Sequence, residues 1–119
     1  MILVDTSVWV NHFRRRDPAL AKLLLDGQAG THPFVIGELA CGTLRDRAGT
    51  ILLLRNLPHT PAAAEAEVHH LLDARNLSGT GLGWVDLHLL AAALLSGWSL
   101  WTADIALSRA AAKVGIELP

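Results

Sequence analysis

Cysteine is nearly absent from this chain, which has 119 residues and a single thiol at Cys41. No internal disulfide can form, which favours a reducing, cytoplasmic setting, and Cys41 reads as a small buried side chain. Aromatics are scarce at 5%. The four tryptophans Trp9, Trp84, Trp98 and Trp101 read as core or interface anchors, because base-stacking surfaces need exposed rings. Long apolar runs are also missing. The longest stretch without Asp, Glu, Lys or Arg, Leu87 to Ala103, is interrupted by His88, Ser96, Gly97, Ser99 and Thr102 and falls short of the ~20 apolar residues of a spanning helix, so no membrane partner is expected. The start Met1-Ile2-Leu3-Val4-Asp5 has no basic region, and no secretory signal is expected. The histidines lack an HExxH pattern, and the loop Gly79 to Gly83 has neither a Walker lysine nor GxGxxG spacing, which sets zinc and nucleotide binding aside. Nor is there a surplus of bases: the net charge of −1 argues at face value against a nucleic-acid partner.

What is present is an unusual placement of acids. Asp5 is the only charged residue from Met1 to Phe13, Glu38 the only one from Gln28 to Leu44, and Asp86 the only one from Asn76 to Ala103. Asp104 follows directly in Trp101-Thr102-Ala103-Asp104-Ile105. Charge in apolar surroundings is costly unless paired or metal-bound, and these four have no basic neighbours in sequence. With a divalent ion neutralising them, ten bases face the seven remaining acids, a surface of +3. An anionic partner is then readmitted.

At 51% hydrophobic residues and a length typical of one domain, the chain reads as a single unit over 1–119. Ile2 to Val4 reads as a buried strand, followed by a helix capped by Thr6 or Ser7 and running to about Arg14. A helix over Ala19 to Leu25 starts at Pro18, and His32 to Val35 is expected as a second strand leading into a helix that carries Glu38. Helices are expected over about Arg47 to Leu57, Ala62 to Arg75, Trp84 to Leu95 and Ile105 to Lys113. Strands are expected at Trp98 to Trp101 and Gly115 to Leu118. Short apolar strands alternating with helices predict an α/β fold, a small parallel sheet flanked by helices in an α/β/α sandwich.

In such sheets ligands gather beyond the carboxyl ends of the strands. Asp5 and Asp104 follow two strands, while Glu38 and Asp86 sit in early helical turns, so four carboxylates are expected to converge there. An all-oxygen set suits Mg²⁺ or Mn²⁺ rather than Zn²⁺, and the usual work of such a centre is phosphodiester hydrolysis. The bland alternatives are an Asx turn at Asp5, helix caps at Asp86 and Asp104, and a surface position at Glu38. Caps explain each acid singly but not all four in the most apolar segments. Arg14, Arg15 and Arg16 are candidates for steering RNA phosphates, whereas Arg45 and Arg47 flank Asp46 and read as surface pairs.

Several segments together resemble one family. Val4-Asp5-Thr6-Ser7-Val8-Trp9, His32-Pro33-Phe34-Val35-Ile36-Gly37-Glu38-Leu39-Ala40-Cys41-Gly42, Gly81-Leu82-Gly83-Trp84-Val85-Asp86 and Leu100-Trp101-Thr102-Ala103-Asp104 are similar to PIN-domain ribonucleases, nearest the VapC toxins of prokaryotic toxin–antitoxin pairs. The resemblance implies a metal-dependent endoribonuclease with Asp5, Glu38, Asp86 and Asp104 as catalytic and metal-binding quartet. It further implies Thr6, Ser7 and Thr102 as supporting hydroxyls, RNA as substrate, a homodimer, and inhibition by a cognate antitoxin. Many relatives carry a base just after the fourth acid; here Ile105, Ala106 and Leu107 follow and the first base is Arg109, the candidate RNA contact on that side.

The rivals are a receiver-like signalling domain, a haloacid-dehalogenase-like phosphatase and an idle interaction module on the same scaffold. The first needs adjacent acids after strand one, the second an acid where Ser7 stands. The leucine triplets Leu23-Leu24-Leu25 and Leu52-Leu53-Leu54 exceed what one buried helix face can hide, and one of these faces is expected to meet a second copy or the antitoxin.

Overall fold

The computed structural model describes residues 1–118. In chain order it has β1 (Ile2–Val4), α1 (Thr6–Arg14), α2 (Pro18–Leu25), β2 (Ala29–Gly30), α3 (Pro33–Cys41), α4 (Arg47–Asn56), α5 (Glu65–Ala74), α6 (Trp84–Ser96), β3 (Ser99–Trp101) and α7 (Ile105–Lys113). The strands form a parallel sheet in the order β2-β1-β3. The α/β expectation is borne out. Because β1 pairs on both sides, the chain steps to one side of it for β2 and crosses to the other side for β3, so the strand order reverses at its carboxyl end.

The local chemistry explains most boundaries. Asp5, rather than Thr6 or Ser7, caps α1: its carboxylate accepts the Ser7 N–H at 3.4 Å. Pro18 and Pro33 occupy the first turns of α2 and α3, where a missing N–H leaves no bond unmade. The second strand is not His32 to Val35. It is the two-residue Ala29–Gly30, and His32 instead caps α3, its Nδ1 accepting the Phe34 N–H at 2.9 Å. The predicted last strand does not form either; residues 116–118 are irregular, and the Leu100 N–H donates to the Glu117 carbonyl at 3.2 Å. Gly97 closes α6 with φ +67°, a left-handed turn that glycine adopts without Cβ strain.

Leu3 and Val4 of β1, Leu100 of β3, Leu89 and Leu90 of α6 and Leu107 of α7 are all fully buried. The apolar face of α6 thus carries the core beneath the sheet, and truncating any of these leucines to alanine removes about 2–5 kcal/mol. On the other edge Gly30 lies so close to Trp98 and Pro58 that a Cβ would fall 2.2 Å from the Trp98 ring. Cys41, expected to be buried, is exposed at the end of α3. No described helix is long and apolar enough to cross a membrane.

Candidate active site

Asp5 emerges from the middle strand at the reversal point. Its N–H donates to the Trp101 carbonyl at 2.9 Å, which ties the end of β1 to the end of β3. The side chain is buried at 6% exposure without a cation beside it. Two hydroxyls hold it: Ser7 Oγ and Thr102 Oγ1 donate to Oδ2 at 2.7 and 2.8 Å. Each hydroxyl has one proton to give, and both give it to Asp5. Their lone pairs then accept the Ala103 and Asp104 N–H groups, each at 3.0 Å. Ser7 and Thr102 therefore lock the carboxylate to the loop that carries Asp104.

The other three acids come from three helices. Glu38, exposed on α3, accepts the Thr6 hydroxyl on Oε1 at 2.7 Å. Asp86, in the first turn of α6, reaches back with Oδ2 to the Gly83 N–H at 2.9 Å, and Asp104 caps α7 by accepting the Leu107 N–H on Oδ1 at 3.1 Å. The capping readings of Asp86 and Asp104 are thus correct as local structure. They account for only one oxygen of each. Among the described residues, Asp5 Oδ1, Glu38 Oε2, Asp86 Oδ1 and Asp104 Oδ2 have no protein hydrogen-bond donor.

Electrostatics link the four. The Asp86 carboxyl is held above its ordinary range, first by burial and then by the negative charges of Asp5, Asp104 and Glu38, with the Gly83 N–H acting in the opposite direction. Four like charges thus share one field with no base among them. Among the described residues, however, no three acidic, histidine or cysteine side chains stand close enough to cage an ion by themselves. Mg²⁺ does not need such a cage, because it usually keeps several waters and takes one or two carboxylates plus substrate phosphate oxygens. The donor set, all oxygen and each with an unused atom, fits a hard divalent cation.

Beside Glu38 opens a cleft of about 540 Å³, lined by Val10, Phe13, Leu39 and Leu44 and edged by Arg14 and Arg45. Arg14 was a sequence candidate; Arg45 was read there as a surface pair and forms no ion pair among the described residues. Arg15 and Arg16 are exposed at the end of α1. Arg109 lies elsewhere, on a cavity shared with Leu77, Thr80 and Lys113 that none of the four acids lines. Arg45 reaches the same cleft as Arg14 through the turn between α3 and α4, and its sequence neighbourhood carries no signal of that.

An acidic cluster at the strand-order reversal of a small parallel sheet defines a class, and the PIN domain family model matches residues 2–113. The chain belongs to the PIN-domain family. Within it the chain is 48% identical to Ribonuclease VapC32 of Mycobacterium tuberculosis, over 99% of this chain and 96% of that protein, in both strain CDC 1551 / Oshkosh and strain H37Rv. In fold it is similar to VapBC2 from Rickettsia felis bound to a DNA fragment from their promoter, with a TM-score of 0.71, 17% identity and coverage of 100% of this chain and 99% of that one. FitAcB from Neisseria gonorrhoeae superposes with a TM-score of 0.66 at 18% identity, covering 99% and 96%. PAE2754 from Pyrobaculum aerophilum gives 0.66 at 20% identity, covering 98% and 87%.

Proposed function

We propose that this chain is a divalent-metal-dependent endoribonuclease, the cytoplasmic toxin of a toxin–antitoxin pair, acting as one domain. The observation that carries the reading is the set of four carboxylates from four separate segments, each with an unused oxygen and none with a basic partner. The identity with a VapC ribonuclease supports RNA as the substrate. Asp5, Glu38, Asp86 and Asp104 would hold Mg²⁺ or Mn²⁺, whose chemistry there is to activate a water and offset charge on a phosphodiester. Ser7 and Thr102 keep Asp5 oriented, and Thr6 does the same for Glu38. Arg14 and Arg45 border the cleft where the strand's phosphates enter. In-line attack of water on phosphorus with breakage of the P–O3′ bond, the 3′-oxygen leaving and taking up a proton, gives a 5′-phosphate and a 3′-hydroxyl.

The same cleft joins apolar walls to two arginines beside an acid, and this supports a cognate antitoxin segment as its inhibitory occupant. Among the fold relatives, VapBC2 is bound to a DNA fragment from their promoter and FitAB to the IR36 DNA fragment. Leu25, Leu52 and Leu53 lie exposed on α2 and α4 and support a homodimer. The deciding experiment is sequencing of RNA ends after induced expression, with Asp5→Asn as control. Discrete new 5′-phosphate ends in the parent alone are expected. Identical ends in parent and variant would overturn the assignment.

A further inference from the structure

A row of rings lies outside the acidic centre. His32, Phe34, His88, Trp84 and His69 follow one another with centroid separations of 5.0, 4.8, 4.8 and 4.8 Å. The row begins at the fully buried His32 and crosses from α3 to α6 and then to α5. Its contacts are tilted or edge-on, with interplanar angles of 44° to 84°. No ring face is therefore consumed by parallel stacking, and Phe34 and Trp84 remain 39% and 41% exposed. Exposed rings of this size are not what an isolated core anchor gives. They border a cavity of about 490 Å³ whose other walls are Glu65, His69 and His88.

Position ties this cavity to the acidic centre. Phe34 and Glu38 are four residues apart on α3 and so share a face about one turn, ~5.4 Å, from each other. Trp84 and Asp86 both belong to the first turn of α6, two positions apart, so ring and carboxylate leave the helix on different sides, and none of the four acids lines the cavity itself. The rings span the two helices whose carboxylates repel one another.

The lining also indicates its occupant. A second cavity between α5 and α6 is walled mainly by Ala66, Leu71, Ala91, Leu94 and Leu95, with Glu67 and His70 at its edge, as an aliphatic protein side chain would require. The ring-lined cavity has no aliphatic wall. It offers two partly exposed aromatic rings, and the Glu65 carboxylate and the His69 and His88 imidazoles as polar edges, Glu65 and His69 standing 3.6 Å apart. That combination matches an unpaired nucleobase, which has a π-face to stack and polar edges to read. We infer that Phe34 and Trp84, with His88 wedged between them, form a stacking platform that takes one base of a single-stranded RNA beside the phosphate to be cut. The inference rests on the ribonuclease reading for the identity of the strand. These residues position substrate and take no part in bond breaking.

The test uses full-length protein carrying Asp5→Asn, so that RNA stays intact, and fluorescence anisotropy. The probes are an eight-nucleotide oligoadenylate and the same length of ribose-phosphate chain without bases. Charge is equal in the two, so their affinity ratio reads base contacts alone. A ratio of about tenfold is expected, the size of one stacked base. Trp84→Ala and Phe34→Ala should each reduce it at least threefold, and Trp84→Phe should restore it, with circular-dichroism melts confirming that each variant is folded.

A ratio near one in the parent, or a ratio unchanged by Trp84→Ala, overturns the platform. So does a Trp84→Ala variant that keeps its ratio but loses self-association by light scattering or binding to an antitoxin, since the rings then serve a protein contact. Cleavage by the wild-type chain is scored separately. RNA cutting with no base-dependent ratio refutes the platform and leaves the nuclease standing, and the reverse result refutes the nuclease alone.

Discussion

Replacing His32 with Asn isolates one contribution to the pH dependence of folding. The imidazole is fully buried, and its Nδ1 accepts the Phe34 N–H as the cap of α3. The proton of the neutral ring must then sit on Nε2, which has no hydrogen-bond partner. A second proton would both charge a buried group and turn the cap acceptor into a donor. Burial, with smaller contributions from His88 and His59, pushes the group from its ordinary 6.5 down to about 4. Because the folded value lies below the unfolded one, this stabilisation is complete above pH 6.5 and is lost as the pH falls toward 4. The full gap corresponds to roughly 3 kcal/mol, and the part lost between pH 7 and pH 5 is about 2 kcal/mol. For a domain of this size that lowers the urea midpoint by about 1 M. Asn keeps a cap acceptor and cannot titrate there. The variant should start less stable because it leaves a cavity, yet lose about 2 kcal/mol less on acidification. Equal midpoint changes for parent and variant between pH 7 and pH 5 would refute the reasoning.

Asp5→Asn should reduce RNA cleavage at least about a thousandfold while moving the melting temperature by less than about 3 °C, since an amide oxygen still accepts from Ser7 and Thr102 and a repulsion is removed. In the same variant the Asp86 carboxyl should titrate at lower pH by NMR, because one of the charges that raises it is gone. Gly30→Ala should destabilise the fold by about 2–3 kcal/mol in urea titrations, because the Trp98 ring must move to admit the methyl group. Chelation with EDTA should abolish cleavage and Mn²⁺ restore it, with a metal-dependent rise in melting temperature as the independent readout. Light scattering at tens of micromolar should give a dimer that Leu52→Lys with Leu53→Lys disrupts; a strict monomer would refute the homodimer.

The acids were legible in the sequence because charge inside apolar segments needs a reason, and Asp5 and Asp104 follow strands whose apolar character is plain. The second strand was not legible. Two residues, Ala29–Gly30, carry no periodicity, and His32-Pro33-Phe34-Val35 reads as a strand through its aromatic Phe34 and β-branched Val35, while Pro33 in fact opens a helix. The last expected strand failed for a related reason: Ile116 is buried, but regular pairing does not accompany its burial. Trp84 is the first residue of α6, next to a glycine loop, and composition alone cannot distinguish a ring at a helix mouth from one in the core. Arg45 and the exposure of Cys41 depend on where α3 ends and how the chain turns toward α4, which no local pattern encodes.

The bond between Thr102 and Asp5 joins residues 97 positions apart. During synthesis the middle strand is made well before its second neighbour, β3, and closing so long a loop is slow compared with forming any single helix. On the ribonuclease reading, a nascent chain that has not reached Thr102 lacks one of the two hydroxyls on Asp5 and also the fourth acid. The centre is therefore unassembled until that segment has been made. Order of synthesis supplies a delay before activity, and a partner made earlier or alongside has that interval in which to arrive.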